Sequence, residues 1–80
     1  MGYKKIELPI HMILIQVTTD DTVTGSITCD PSLYQTCPVI AIDGILSMIL
    51  VHTLAGIDVE SPEYLSGVET AFSSICDDAK

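Results

Sequence analysis

The sequence has no arginine and no tryptophan, and only three lysines among its 80 residues. Against them stand eleven carboxylates, for a net charge of −8. Nucleic-acid backbone is held by clustered cations, and this chain has no such cluster, so no direct nucleic-acid binding is expected. Docking on anionic lipid is disfavoured for the same reason. Glycine-rich loops are missing too: Gly25, Gly44, Gly56 and Gly67 are isolated, and a phosphate cradle needs several together.

Cysteine is scarce, and its spacing is uninformative. There are three, and Cys29 and Cys37 are seven intervening residues apart. Zinc pairs use about two to four. An odd, small set does not describe a secreted disulfide scaffold. Reduced thiols and a cytoplasmic location are the simpler expectation. No targeting segment is read: Lys4 and Lys5 precede an apolar stretch, but Glu7, Pro9 and His11 interrupt it and no cleavage site follows. Gly2 lacks the Ser or Thr of a myristoylation start, since Ile6 stands there. Repeats and low-complexity tracts are absent as well.

What is present is grease. Hydrophobic residues make up 48% of the chain, enough for a core in one domain, 1–80. The longest apolar run is Pro38 to Ile57. It exceeds the length of a strand, opens with a proline suited to a first helical turn and ends at Gly56, a natural C-terminal residue. It predicts a helix over 38–55. Turned at about 100° per residue, Ile45, Leu46, Met48, Ile49, Leu50, Val51 and Leu54 spread round the circumference, with no wide polar face. Three explanations compete. The helix is covered by a sheet, a second helix and a partner subunit; or it is buried within one monomer; or it spans a membrane. A domain this small buries only about 60% of its unfolded surface, which favours the first. Asp43 and the lack of flanking cations argue against a span, so no membrane is expected.

The rest of the chain reads as follows. Lys5–Val17 is one strand, with Ile6, Leu8, Ile10, Met12 and Leu14 on one face at period two. From Met12 both faces are apolar, so Ile13, Ile15 and Val17 are expected under a partner. Thr18–Asp21 is a turn, and Thr22–Cys29 returns as a second strand, in which Gly25 suggests a bulge or a close approach. Asp30–Cys37 connects, with Asp30 capping a short turn begun by Pro31 and Thr36 the better cap for the long helix. Ser61, Pro62 and Glu63 start a last helix over 62–76, amphipathic through Leu65, Val68, Phe72, Ile75 and Cys76. The fold expected is therefore α+β in two layers: an N-terminal antiparallel hairpin, then two helices on one face of the sheet, β-β-α-α.

Chemistry is harder to find. His11 and His52 have no metal-ligand spacing to the cysteines, and no metal or cofactor is expected. His52 on an apolar helix reads as a core or interface histidine with a satisfied hydrogen bond. His11 and Cys29 are conceivable as a pair across the hairpin, and Cys37 lies near a helix start, but no cation stands by to activate a thiol. Asp43 reads as an exposed carboxylate favoured by the helix N-terminus, with a buried role the sharper alternative. The expectation is a non-enzymatic protein that works by self-association, most simply as a homodimer, or by binding another protein. Its interface is placed at Ile13, Ile15, Ile45, Ile49 and His52. The alternative is an acidic decoy for a basic partner, which requires Glu60, Glu63, Glu69, Asp77 and Asp78 on one surface.

Overall fold

The computed structural model describes residues 2–78. Strands β1 (Tyr3–Glu7), β2 (Leu14–Thr19) and β3 (Val23–Thr28) form one antiparallel sheet in the order β1-β2-β3. A 3-10 turn, Pro31–Gln35, leads to helix α1 (Val39–Leu54), and α2 (Pro62–Asp78) follows it. The class is α+β in two layers, with the helices on one face of the sheet.

Among the described residues the strand count is three, not two. The stretch expected as one strand over 5–17 is broken by a tight turn at His11 and Met12, both left-handed, with φ of 50° and 52°. The Ile13 N–H donates to the Ile10 carbonyl at 3.0 Å, and the Leu8 N–H to the Ile13 carbonyl at 2.9 Å. Two successive left-handed residues make a type I′ turn, whose twist suits an antiparallel hairpin. Non-glycine residues adopt it at a cost, and tertiary contacts hold it here. The His11 carbonyl accepts the Asp30 N–H at 2.8 Å, and the His11 ring meets the edge of Phe72 at 4.8 Å between centroids.

That turn resets which residues face inward. Ile6 pairs with Ile15, and Ile15 with Ile27, so these three share a face; Lys4, Val17 and Gly25 lie on it too. Ile6, Leu8, Ile13, Ile15 and Val17 are all buried, and with Leu33, Ile42, Leu46, Ile49, Val59, Val68 and Phe72 they form a single core. No polar or charged side chain is buried among the described residues. Burial of such side chains is worth about 1.5–3 kcal/mol each and is the main force closing the two layers. The other sheet face, with Lys5, Gln16, Thr18, Thr24 and Ser26, is polar and uncovered.

The helices begin much as the sequence indicates. Pro38 caps α1 rather than opening it, and its carbonyl accepts the Ile42 N–H at 3.0 Å. Thr36 instead closes the preceding turn, where its hydroxyl donates to the Leu33 carbonyl at 3.2 Å. Asp30 caps that turn through the Ser32 N–H at 3.1 Å. Ser61 caps α2: its Oγ accepts the Tyr64 N–H at 3.3 Å. Gly56, at φ +87°, ends α1 in the left-handed conformation that glycine adopts without cost. The two helices run antiparallel. His52 near the end of α1 meets Tyr64 near the start of α2, and Cys37 before α1 is joined to Cys76 late in α2. That disulfide corrects the expectation of three reduced thiols; among the described residues only Cys29 is free.

Candidate functional site

Helix α1 is the element that the fold leaves unfinished. Ile42, Leu46 and Ile49 point into the core. On one flank His52 reaches Tyr64 of α2. On the other, Leu50 and Leu54 lie over Gly25 of β3, where a Cβ would stand 2.9 Å from Leu50 Cδ1. Beyond that flank the helix is bare: Ile40 is 87% exposed, Val51 62% and Leu54 41%. Gly44, Ser47 and Met48 complete this outer face. At about 100° per residue these positions fall on one side of the helix, opposite the core stripe. Asp43 is the one carboxylate in α1, and it lies at the margin. An exposed helix face normally carries charge; this one is apolar or small almost throughout.

Three of the five residues expected at an interface are buried within the single chain. Ile13 is 1% exposed, and Ile15 and Ile49 are 0%, all within one chain. The type I′ turn reverses the parity that had placed Ile13 and Ile15 outward, and a side chain sealed in the core presents nothing to a partner. Ile45 and His52 are half-buried. Ile40 and Val51, which the expected interface left out, are the most exposed apolar side chains of α1. Periodicity could not find them, because a helix apolar all round does not declare which side the sheet will take.

The candidate chemical groups have separate partners. The His52 Nδ1 and Tyr64 hydroxyl are 2.6 Å apart, with the rings edge to face. Burial holds the Tyr64 phenol above its ordinary pKa. Asp43 is exposed and accepts a long hydrogen bond of 3.5 Å from the Tyr34 hydroxyl. The Tyr34 phenol is also raised, first by hydrogen bonding to Cys29, then by desolvation and by the charge of Cys29 and Asp43. Thus the Cys29 thiol lies beside Tyr34, while the His11 ring lies against Phe72. The chain brings the two segments together without pairing those side chains.

Concave features are shallow. His11 lines a cleft of about 260 Å³ with Phe72, Ser73, Cys76 and Asp77. That is below the roughly 300–1,000 Å³ of small-molecule sites. Two larger hollows, of about 370 and 350 Å³, are lined by Glu7, Leu8, Met12, Ile13 and Leu14, and by Val17, Thr19, Val23, Thr53, Leu54 and Gly2 to Lys4. Among the described residues no three metal-ligating side chains gather, and no helix is long and apolar enough to cross a membrane.

No family model matches this chain, and neither a curated protein nor a solved structure does.

Proposed function

We propose that this is a non-enzymatic protein that works by protein–protein association, with the outer face of α1 as its contact surface. The observation that carries the reading is the exposed, nearly uncharged stripe of Ile40, Gly44, Ser47, Met48, Val51 and Leu54. Exposed apolar patches that gather on one element mark interaction sites, whereas scattered ones do not. An otherwise strongly acidic chain keeps its charge off this face. The expected homo-oligomer is the simplest form of such association.

Mass in solution tests it. Light scattering at micromolar concentration should give a mass above the 8.6 kDa of one chain. Ile40→Lys or Val51→Lys should return it to the monomer. Both side chains are exposed, so neither change disturbs the core. A strict monomer that captures no protein through this face would remove the proposal.

The acidic-decoy alternative has one feature in its favour: Glu63, Glu69 and Asp77 fall on the outer side of α2, with Glu60 just before it. The side chain of Asp78 lies outside the described residues. These charges are spread along about 24 Å of helix, against one per about 1.7 Å on duplex DNA. Such a surface imitates nucleic acid poorly. Salt-sensitive binding to polylysine would be its signature. As to place, a cytoplasmic protein would hold Cys37 and Cys76 reduced, so the redox state of that pair in the native chain tests the proposed location.

A further inference from the structure

We infer that the occupant of the α1 face is a second copy of this chain, docked through α1 and the open edge of β3 together, so that two three-stranded sheets join across a two-fold axis. This rests on the association reading above and adds its partner and geometry.

The helix flank and the strand edge are one surface. Leu50 and Leu54 lie over Gly25 of β3, Leu54 is 41% exposed, and Val23, the first residue of β3, is 59% exposed. The surface faces away from α2, which packs on the opposite flank of α1 through His52 and Tyr64. β3 has β2 as its sole ladder partner among the described residues, so its other side offers unpaired backbone groups.

The two sheet edges are guarded differently. β1 carries Lys4, Lys5 and Glu7, and Pro9 follows it. Charges and proline are the usual protection against edge pairing. β3, Val23–Thr28, has neither. A partner for this surface needs an uncharged apolar flank beside an unpaired strand. The chain itself carries that combination, and a two-fold axis sets the surface against its own image. A charged partner would find only Asp43 to pair with on the face of α1.

Area decides that both parts are used. The exposed stripe of α1 is about 21 Å long and about 10 Å wide. Two such stripes bury on the order of 500 Å² in total, less than many crystal contacts. Adding the strand edge makes a wall about 15–20 Å high. The total then reaches on the order of 1,000 Å², the threshold for a specific interface. The protomer is correspondingly unfinished in shape: its radius of gyration is 13.0 Å, against about 11.6 Å for a compact chain of this length.

The charges at the ends of β3 set a sign. Asp20 and Asp21 precede the strand and Asp30 follows it. Antiparallel pairing brings the first two near Asp30 of the other copy, and salt screens that repulsion. The dimer should tighten as salt rises.

The test is amide exchange on the intact chain, measured where sedimentation shows dimer and again after dilution to monomer. Alternate amides within Val23–Thr28 should exchange about tenfold or more slowly in the dimer. Val51→Lys should weaken the dimer about tenfold or more, since the two-fold repeats the charge. Ile40→Lys is the second variant, and circular dichroism confirms folding of each. A dimer whose β3 amides exchange equally fast before and after dilution overturns the edge pairing and leaves the α1 reading standing. A mass of 8.6 kDa at every concentration overturns the second copy as occupant; the α1 reading then fails as well unless Val51→Lys abolishes capture of a different protein.

Discussion

Gly25 of β3 lies directly under Leu50 of α1. A Cβ on the glycine would stand 2.9 Å from Leu50 Cδ1, 3.4 Å from the Gln16 carbonyl oxygen and 3.5 Å from Leu54 Cδ2. The missing side chain is what lets α1 settle onto the edge strand, and it fixes how much of the helix flank protrudes beyond the sheet. The nearest atom is the end of a flexible, half-buried leucine. Gly25→Ala should therefore change stability by under about 1 kcal/mol, because strand propensity offsets a small shift of Leu50. Gly25→Val should cost about 1–3 kcal/mol by overpacking. In urea titrations the double variant Gly25→Val, Leu50→Ala should lose less than the sum of the single losses. Strict additivity would mean that the two residues do not touch.

The His11–Met12 turn makes a second prediction. Met12 is 76% exposed and left-handed, so its side chain gives little to the core while its backbone is strained. Met12→Gly should stabilise the fold by about 0.5–1 kcal/mol. His11→Gly should gain less or lose, because the ring contact with Phe72 goes with it. Urea midpoints that fall equally for both variants would contradict this account of the turn.

This turn is also where the sequence was least legible. From Lys5 to Val17 the apolar residues alternate without Gly or Asn, which are the usual signals of a type I′ turn. Reading straight through gives one strand. A two-residue reversal changes parity, and so Ile13 and Ile15 moved from an expected interface to the core. The helices were easier, because Ser61 and Pro62 announce α2 by local chemistry that needs no tertiary help. The long run 38–57 announced α1, but not its orientation. That depended on Gly25, whose role as a seat for Leu50 appears only once α1 and β3 are in contact. Cys37 and Cys76 were likewise out of reach, since their meeting follows from the antiparallel helix pair and not from spacing.

The Cys37–Cys76 bond closes a loop spanning a sequence separation of 39. A cross-link of that span restricts the unfolded chain by about 4 kcal/mol. For a domain whose whole stability is on the order of 5–10 kcal/mol, that is a large share. Reduction, or the double change Cys37→Ser, Cys76→Ser, should lower the urea midpoint markedly. Cys29→Ser should not, since Cys29 takes no part in the bond. Equal midpoints with and without reductant, with the bond verified by mass spectrometry, would show that the cross-link contributes little.

His52 and Tyr64 fasten the far end of the same helix pair, and their bond has a pH signature. Burial raises the Tyr64 phenol above its ordinary value, so the folded state holds that proton more tightly than the unfolded chain does. The sign follows from linkage: the contribution is complete below about pH 10, the value in the unfolded chain, and is lost as pH rises through the folded value. Stability should decline at alkaline pH, and Tyr64→Phe should flatten that decline. At neutral pH the same change leaves the half-buried imidazole without its 2.6 Å partner, at a cost of about 1–2 kcal/mol. His52→Ala adds a cavity to the lost bond and should cost more. The coupling in the double-mutant cycle isolates the hydrogen bond itself at about 0.5–1.5 kcal/mol. If Tyr64→Phe left both the neutral-pH midpoint and the alkaline slope unchanged, the His52–Tyr64 bond would be ornamental, and the disulfide with the core would hold α2 in place alone.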